Sequence, residues 1–168
     1  MESMAPGHEL VTHARLALAA YDCNEPERAR CLRVLAAAHP DETTPQLWEI
    51  SSLRQLGLRS QRLEILERRV ASWQSDPILW VELATELAED GREAARAEGL
   101  CRMALVRIPL SVRAFELLAT ALWVQGRFAD ALRHYRTAAI LQPLDENLAR
   151  TWFRVARVLG RTDEALAE

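Results

Sequence analysis

The chain has 168 residues, 49% of them hydrophobic, which is enough to bury a substantial core and too apolar for a disordered tail. Its 21 basic residues against 24 acidic ones leave a net charge of -3, which argues against a general binder of nucleic acid or of anionic membrane. The opening MESMAPGHELVTHARLALAAYD lacks a basic leader, and no run approaches the length of a bilayer span, so a cytoplasmic protein without membrane insertion is expected.

All the basic residues are arginine, a composition that favours planar recognition of carboxylates. From the N-terminus, residues 9–41 align with the later units only through Leu16, Ala17, Ala20, Ala29, Ala36 and Pro40, and are expected to form a degenerate helical hairpin acting as a cap. Residues 43–76 follow. Gly57 has Ile50 and Leu53 at helical offsets before it, but Gln46 and Glu49 stand where apolar residues are expected.

Gly57 is also the first of a series. Gly57, Gly91, Gly126 and Gly160 are separated by 34, 35 and 34 residues, and Pro77, Pro109 and Pro143 keep a similar step. In residues 77–111, Trp80, Leu83, Ala84 and Leu87 form an amphipathic stripe before Gly91, and Ala97, Cys101 and Ala104 form a second after it. Residues 112–145 repeat the arrangement with Phe115, Leu118, Ala119 and Leu122, then Gly126, then Ala131, Tyr135 and Ala138. Glycine permits the left-handed turn that ends the first helix, and proline ends the second. Residues 146–168 supply one more first helix and only the opening of a second, which leaves Trp152 and Phe153 short of cover.

This order of large aromatic, Leu, small residue, Leu, Gly, Ala, Tyr, Ala and Pro over about 34 residues resembles the tetratricopeptide repeat. The resemblance implies an all-α fold: a right-handed superhelical solenoid of stacked antiparallel helix hairpins, about four and a half repeats in a single domain over 1–168. It also implies a protein-protein interaction module, a scaffold or adaptor holding a peptide or partner domain in a concave groove. Two other roles belong to the same family: the N-terminal recruiting region of a larger enzyme such as a glycosyltransferase or sulfotransferase, and a small secretion chaperone. The unfinished last hairpin points to a longer protein or to contact with another chain, homo-oligomerisation included.

In the groove the resemblance implies, the positions between packing offsets are Leu47, Ser51 and Arg54, then Val81, Thr85 and Ala88, then Glu116, Thr120 and Trp123, and finally Arg150, Arg154 and Arg157. Glu82, Glu86 and Glu89 make an acidic line facing the arginine line in sign, which would orient a bound peptide. Trp123 is either a hot spot or a packing residue. The candidate groove is therefore Val81, Thr85, Glu89, Glu116, Thr120, Trp123, Arg150, Arg154 and Arg157.

No HExxH, CxxC, GxSxG, Walker loop or GxGxxG occurs, so no catalytic, cofactor or metal site is expected. Cys23, Cys31 and Cys101 read as buried thiols in a reducing compartment, and His134 as a solvent-facing side chain.

Overall fold

A computed structural model describes residues 6–71 and 76–162, with the side chains of Pro6, Glu89 and Asp90 outside the description. Among the described residues there are nine helices and no strand: α1 Pro6–Tyr21, α2 Glu25–Ala38, α3 Thr43–Gln55, α4 Arg59–Val70, α5 Pro77–Asp90, α6 Ala94–Arg107, α7 Val112–Val124, α8 Phe128–Leu141 and α9 Glu146–Val158. They fall into two compact units that divide after Ala71, α1–α4 in the first and α5–α9 in the second.

Local sequence dictates the turns. Gly57, Gly126 and Gly160 have φ of +70°, +77° and +67°, a region that side chains with a Cβ rarely enter. At each of these turns the same two backbone bonds close the helix end. In the hairpin of α7 and α8, Arg127 N–H donates to Leu122 C=O at 2.9 Å and Gly126 N–H to Trp123 C=O at 2.9 Å. That pair satisfies carbonyls which have no acceptor role inside the helix. Ser111 and Asp145 then open α7 and α9 by accepting bonds from backbone N–H groups of the first turn.

The prolines divide into two kinds. Pro109 and Pro143 follow α6 and α8, and the residues before them, Ile108 and Gln142, have left the helical region, with φ of -130° and -136° and ψ of 75° and 72°, as a following proline requires. Pro77 differs: it is the first residue of α5, behind the N-cap Asp76, and opens a helix instead of closing one. Pro40, after His39 with φ -118° and ψ 65°, is the equivalent of Pro109 and Pro143 in the first unit.

In the second unit, α5 packs on α6, and α7 packs on α5, α6 and α8. The core is built from the repeat stripes: Leu83, Ala84, Leu87, Ala97, Cys101, Ala104, Leu118, Ala119, Leu122, Ala131 and Ala138 are all at most 4% exposed. Alanines at the crossing points let the helix axes come close, and leucines fill the space beside them. Arg107 lies over the Trp80 ring, 5.8 Å from its centroid.

An ion cluster pins two hairpins of this unit together. Glu98 of α6 accepts from Arg102 at 2.8 Å, from Arg127 at 2.9 Å and from Gln125 at 2.9 Å. Burial pushes its carboxyl up, but the bonds from Gln125, Arg102 and Arg127 outweigh burial and hold it below its ordinary value.

The first unit is packed differently. Gln46 and Glu49 are 3% and 5% exposed, so the offsets that lack apolar residues are buried all the same. Gln46 donates to the Pro40 carbonyl at 2.7 Å, and Glu49 accepts from Arg33 at 3.3 Å. Partnered polar groups take the place of the apolar stripe. In α1 the buried positions are Thr12 and Ala19, with Leu16 half-buried; Ala17 and Ala20, which the alignment used, are exposed. Helical spacing from Thr12 through Leu16 to Ala19 leaves them on the outer face. That face also exposes Leu10, Val11 and Leu18, so α1 does not present the polar surface of a cap.

His39 ties the start of this unit together, with Nε2 3.0 Å from Glu9 of α1 and Nδ1 3.1 Å from Glu42. The hydrogen bond to Glu9 is the main reason its pKa is raised, with Glu42 adding to it. A raised folded value means that the stabilisation is complete below the unfolded pKa of about 6.5 and is lost as pH rises through the folded value. His39→Gln is therefore expected to remove a fall in first-unit stability above about pH 6.5. Denaturation midpoints measured for both proteins across neutral pH check this.

Candidate functional site

The second unit carries a cleft of about 450 Å³ between α7 and the start of α9. Val112, Arg113 and Glu116 line it from α7, Gln142 and Asp145 from the intervening turn, and Asn147, Leu148 and Thr151 from α9. Its floor is fixed by packing: Leu148 sits with Ala138 and Ala139, and Val112, Phe115 and Trp152 close around them. Arg113 donates to Glu116 at 2.8 Å, and Asp145 is occupied by the N–H groups of Asn147 and Leu148. The walls thus offer both signs of charge on a packed apolar base.

Glu116 lines this cleft. Thr120, one turn along, is half-buried and serves the core: its hydroxyl donates to Glu116 C=O at 2.9 Å and lies 3.0 Å from the Tyr135 hydroxyl. Because the single threonine proton is given to the carbonyl, Tyr135 is the donor to Thr120. Burial raises the Tyr135 pKa, and Glu116 and Arg154 are both near enough to act on it electrostatically. Arg150, Arg154 and Arg157 are exposed along α9, and Arg150 has Glu146 at 3.8 Å.

Several other candidates sit elsewhere. Val81 and Thr85 are 6% and 8% exposed, and Thr85 bonds back to Val81 C=O at 2.9 Å; both belong to the packing of α5. Trp123 is half-buried with its ring edge-on to Phe128, centroids 4.7 Å apart, so it closes its own hairpin. The acidic line does not form as a surface, because Glu86 is 0% exposed and Glu82 is half-buried. Residues 83–87 are all buried, which means α5 is covered on more than one side and an outward stripe fails there. Glu89 lies outside the described side chains, and residues 163–168 of the last hairpin lie outside the described residues.

His134 is not solvent-facing. It stacks on Phe115, with ring centroids 5.9 Å apart, and burial lowers its pKa, which keeps it neutral at pH 7. Of the thiols, Cys31 and Cys101 are buried but Cys23 is exposed, at a turn residue with φ +52°. Burial pushes the Cys101 thiol up to about 12 and also raises that of Cys31. One thiol per folded chain, Cys23, is expected to react rapidly with a maleimide, as counted by mass spectrometry, and all three after denaturation.

Among the described residues no group of three or more His, Cys, Asp and Glu could hold a metal ion, and no helix is long and apolar enough to cross a membrane.

Comparison with known proteins gives three findings. The family model described as bacterial transcriptional activator domain matches residues 90–168, which covers α6 to α9. The DnaJ homolog subfamily C member 7 homolog of Schizosaccharomyces pombe is 29% identical over 109 residues, 65% of this chain, while the match spans only 23% of that protein. MamA from Desulfovibrio magneticus RS-1, solved from residue 41 to its end, superposes with a TM-score of 0.77 at 12% identity, over 95% of this chain and 89% of that one. MamA MSR-1 gives 0.69 at 19% identity, over 95% and 91%. At such identities the likeness is one of fold, and it extends over both units. With its helix pairs, left-handed glycine turns and small-residue crossings, the chain is an all-α helical-repeat protein with the tetratricopeptide-repeat fold.

Proposed function

We propose that this chain is a protein-interaction module, a scaffold or adaptor that docks a segment of a partner protein across α7 and α9. The observation that carries the reading is the cleft between those two helices, packed at its base and lined by Arg113 and Glu116, on a unit whose helix α9 also exposes Arg150, Arg154 and Arg157. Three arginines at one face suit a partner bearing carboxylates, because the guanidinium fork holds a carboxylate through two parallel hydrogen bonds. Repeat folds of this kind present rigid surfaces on which a partner orders without the scaffold reorganising.

A second reading is favoured by the match over residues 90–168: that the module belongs to a bacterial transcriptional activator and receives another part of the transcription apparatus. A third occupant of the same region is a second copy of the chain, through the exposed Phe153 and Val158 of α9.

A photo-crosslinking residue placed at Thr151, compared with one at Met103 on the outer side of α6, tests all three. Partner adducts from Thr151 and none from Met103 are expected. Their identity separates a transcription protein from another partner, and a doubled mass separates self-association. Equal adducts from both positions would remove the α7–α9 face from consideration.

A further inference from the structure

The first unit holds a larger opening than the one between α7 and α9, about 480 Å³, between the second helices of its two hairpins, α2 and α4. Its charged lining is three arginines against two carboxylates: Arg33 from α2 and Arg68 and Arg69 from α4, with Glu49 at the base from α3 and Glu64 at the rim. Ala36 and Ile65 form an apolar wall beside them.

The arginines are held in different ways. Arg33 spans the opening, its Nε donating to Glu49 at 3.3 Å and its Nη2 to Gln61 at 2.9 Å. Arg69 donates to the Pro40 carbonyl at 3.1 Å, which anchors the end of α4. Arg68 reaches Glu64 only at 4.0 Å, with both side chains more than two-thirds exposed, a geometry worth little in water. Glu49 is buried, and burial raises its pKa in spite of Arg33, Arg69 and Arg68. Three guanidinium groups against two carboxylates leave the opening with an excess of positive charge.

We propose that the cleft between α2 and α4 is a second docking site, taking a carboxylate-bearing segment of a partner protein with an apolar residue next to the acid. The carboxylate enters between Arg33, whose planar fork is held by Glu49 and Gln61, and the exposed Arg68, which closes on it from the rim. The adjoining apolar side chain lies on Ala36 and Ile65. The volume suits about two side chains. Peptide is favoured over nucleic acid because Glu49 and Glu64 would repel a run of phosphates, and because the wall has no aromatic ring on which a base could stack. This proposal does not rest on the α7–α9 reading, since every residue it uses lies in the first unit.

The test uses the full chain and the arginine Nε–Hε resonances in heteronuclear NMR. The probe is acetyl-Leu-Glu-Leu-amide, with acetyl-Leu-Gln-Leu-amide as control and inorganic phosphate and oligothymidine as competitors. Shifts at Arg33 and Arg68 with the glutamate peptide and not with the glutamine one are expected. Arg68→Ala should weaken binding about fivefold, on the scale of one exposed charge pair. Glu49→Gln, which keeps a partner for Arg33 but removes a charge, should tighten it. Arg33→Ala is avoided because it would strand the buried Glu49.

The proposal is overturned if both peptides shift the same resonances, if Arg68→Ala binds as the parent does, or if phosphate or oligothymidine displaces the peptide at lower concentration. A response at Arg150 and Arg154 without one at Arg33 and Arg68 would also overturn it, while leaving the α7–α9 site standing.

Discussion

Tyr135→Ala is expected to destabilise the second unit by about 3–5 kcal/mol, the range for removing a large buried aromatic. Tyr135 is 8% exposed on α8 and reaches across to α7, where its hydroxyl donates to Thr120. The substitution removes the ring that fills the space between two helices of a hairpin and leaves Thr120 without its donor. Tyr135→Phe separates the two contributions, because it keeps the ring and loses only the hydrogen bond, at a cost of about 1 kcal/mol. Chemical denaturation followed by circular dichroism measures both. Equal stability of the alanine variant and the parent would mean that α7 and α8 do not pack as described.

Leu122→Ala is the second large effect, with about 2–5 kcal/mol expected for a leucine at 0% exposure. Leu122 has two roles at one place. Its side chain is enclosed in the core, and its carbonyl accepts the N–H of Arg127 in the turn through Gly126. Alanine leaves the carbonyl in place, so the loss reports the removed side-chain atoms and the cavity they leave, without the turn bond. Leu144→Ala is the matching control: Leu144 is 95% exposed, and its replacement should fall within about 0.5 kcal/mol of the parent in the same experiment.

The turns were legible in the sequence because their cause is local. A glycine is needed wherever φ is positive, and at Gly57, Gly126 and Gly160 the need shows as a fixed spacing. The stripes of the second unit were legible for the same reason, since each helix buries one face at helical period. The first unit was harder because its buried polar residues are satisfied by groups outside their own helix, which no helical period reveals. Nothing near Glu49 announces Arg33, and nothing near Gln46 announces that its partner is the Pro40 carbonyl.

The candidate groove shows the same division. Glu116, Arg150, Arg154 and Arg157 could be placed on a first-helix face by counting. Val81, Thr85 and Glu86 could not, because their burial depends on how many neighbours surround α5, and charge alone suggests the opposite for Glu86. Trp123 went to Phe128 instead of an open surface because the turn through Gly126 brings those two rings together. The cleft between α2 and α4 had no sequence signal beyond the exclusive use of arginine, since three helices must be assembled before its arginines converge.

The most direct test of the central claim is a quantitative pull-down from native cell extract, comparing the parent with the Arg150→Glu, Arg154→Glu double variant. Both residues are exposed, so the variant should fold as the parent does, which circular dichroism checks. The account predicts one or more partners that are held by the parent and depleted at least tenfold on the variant. An unchanged set of partners on the folded variant would contradict it, and the face made by α7 and α9 would then not be where this protein meets others.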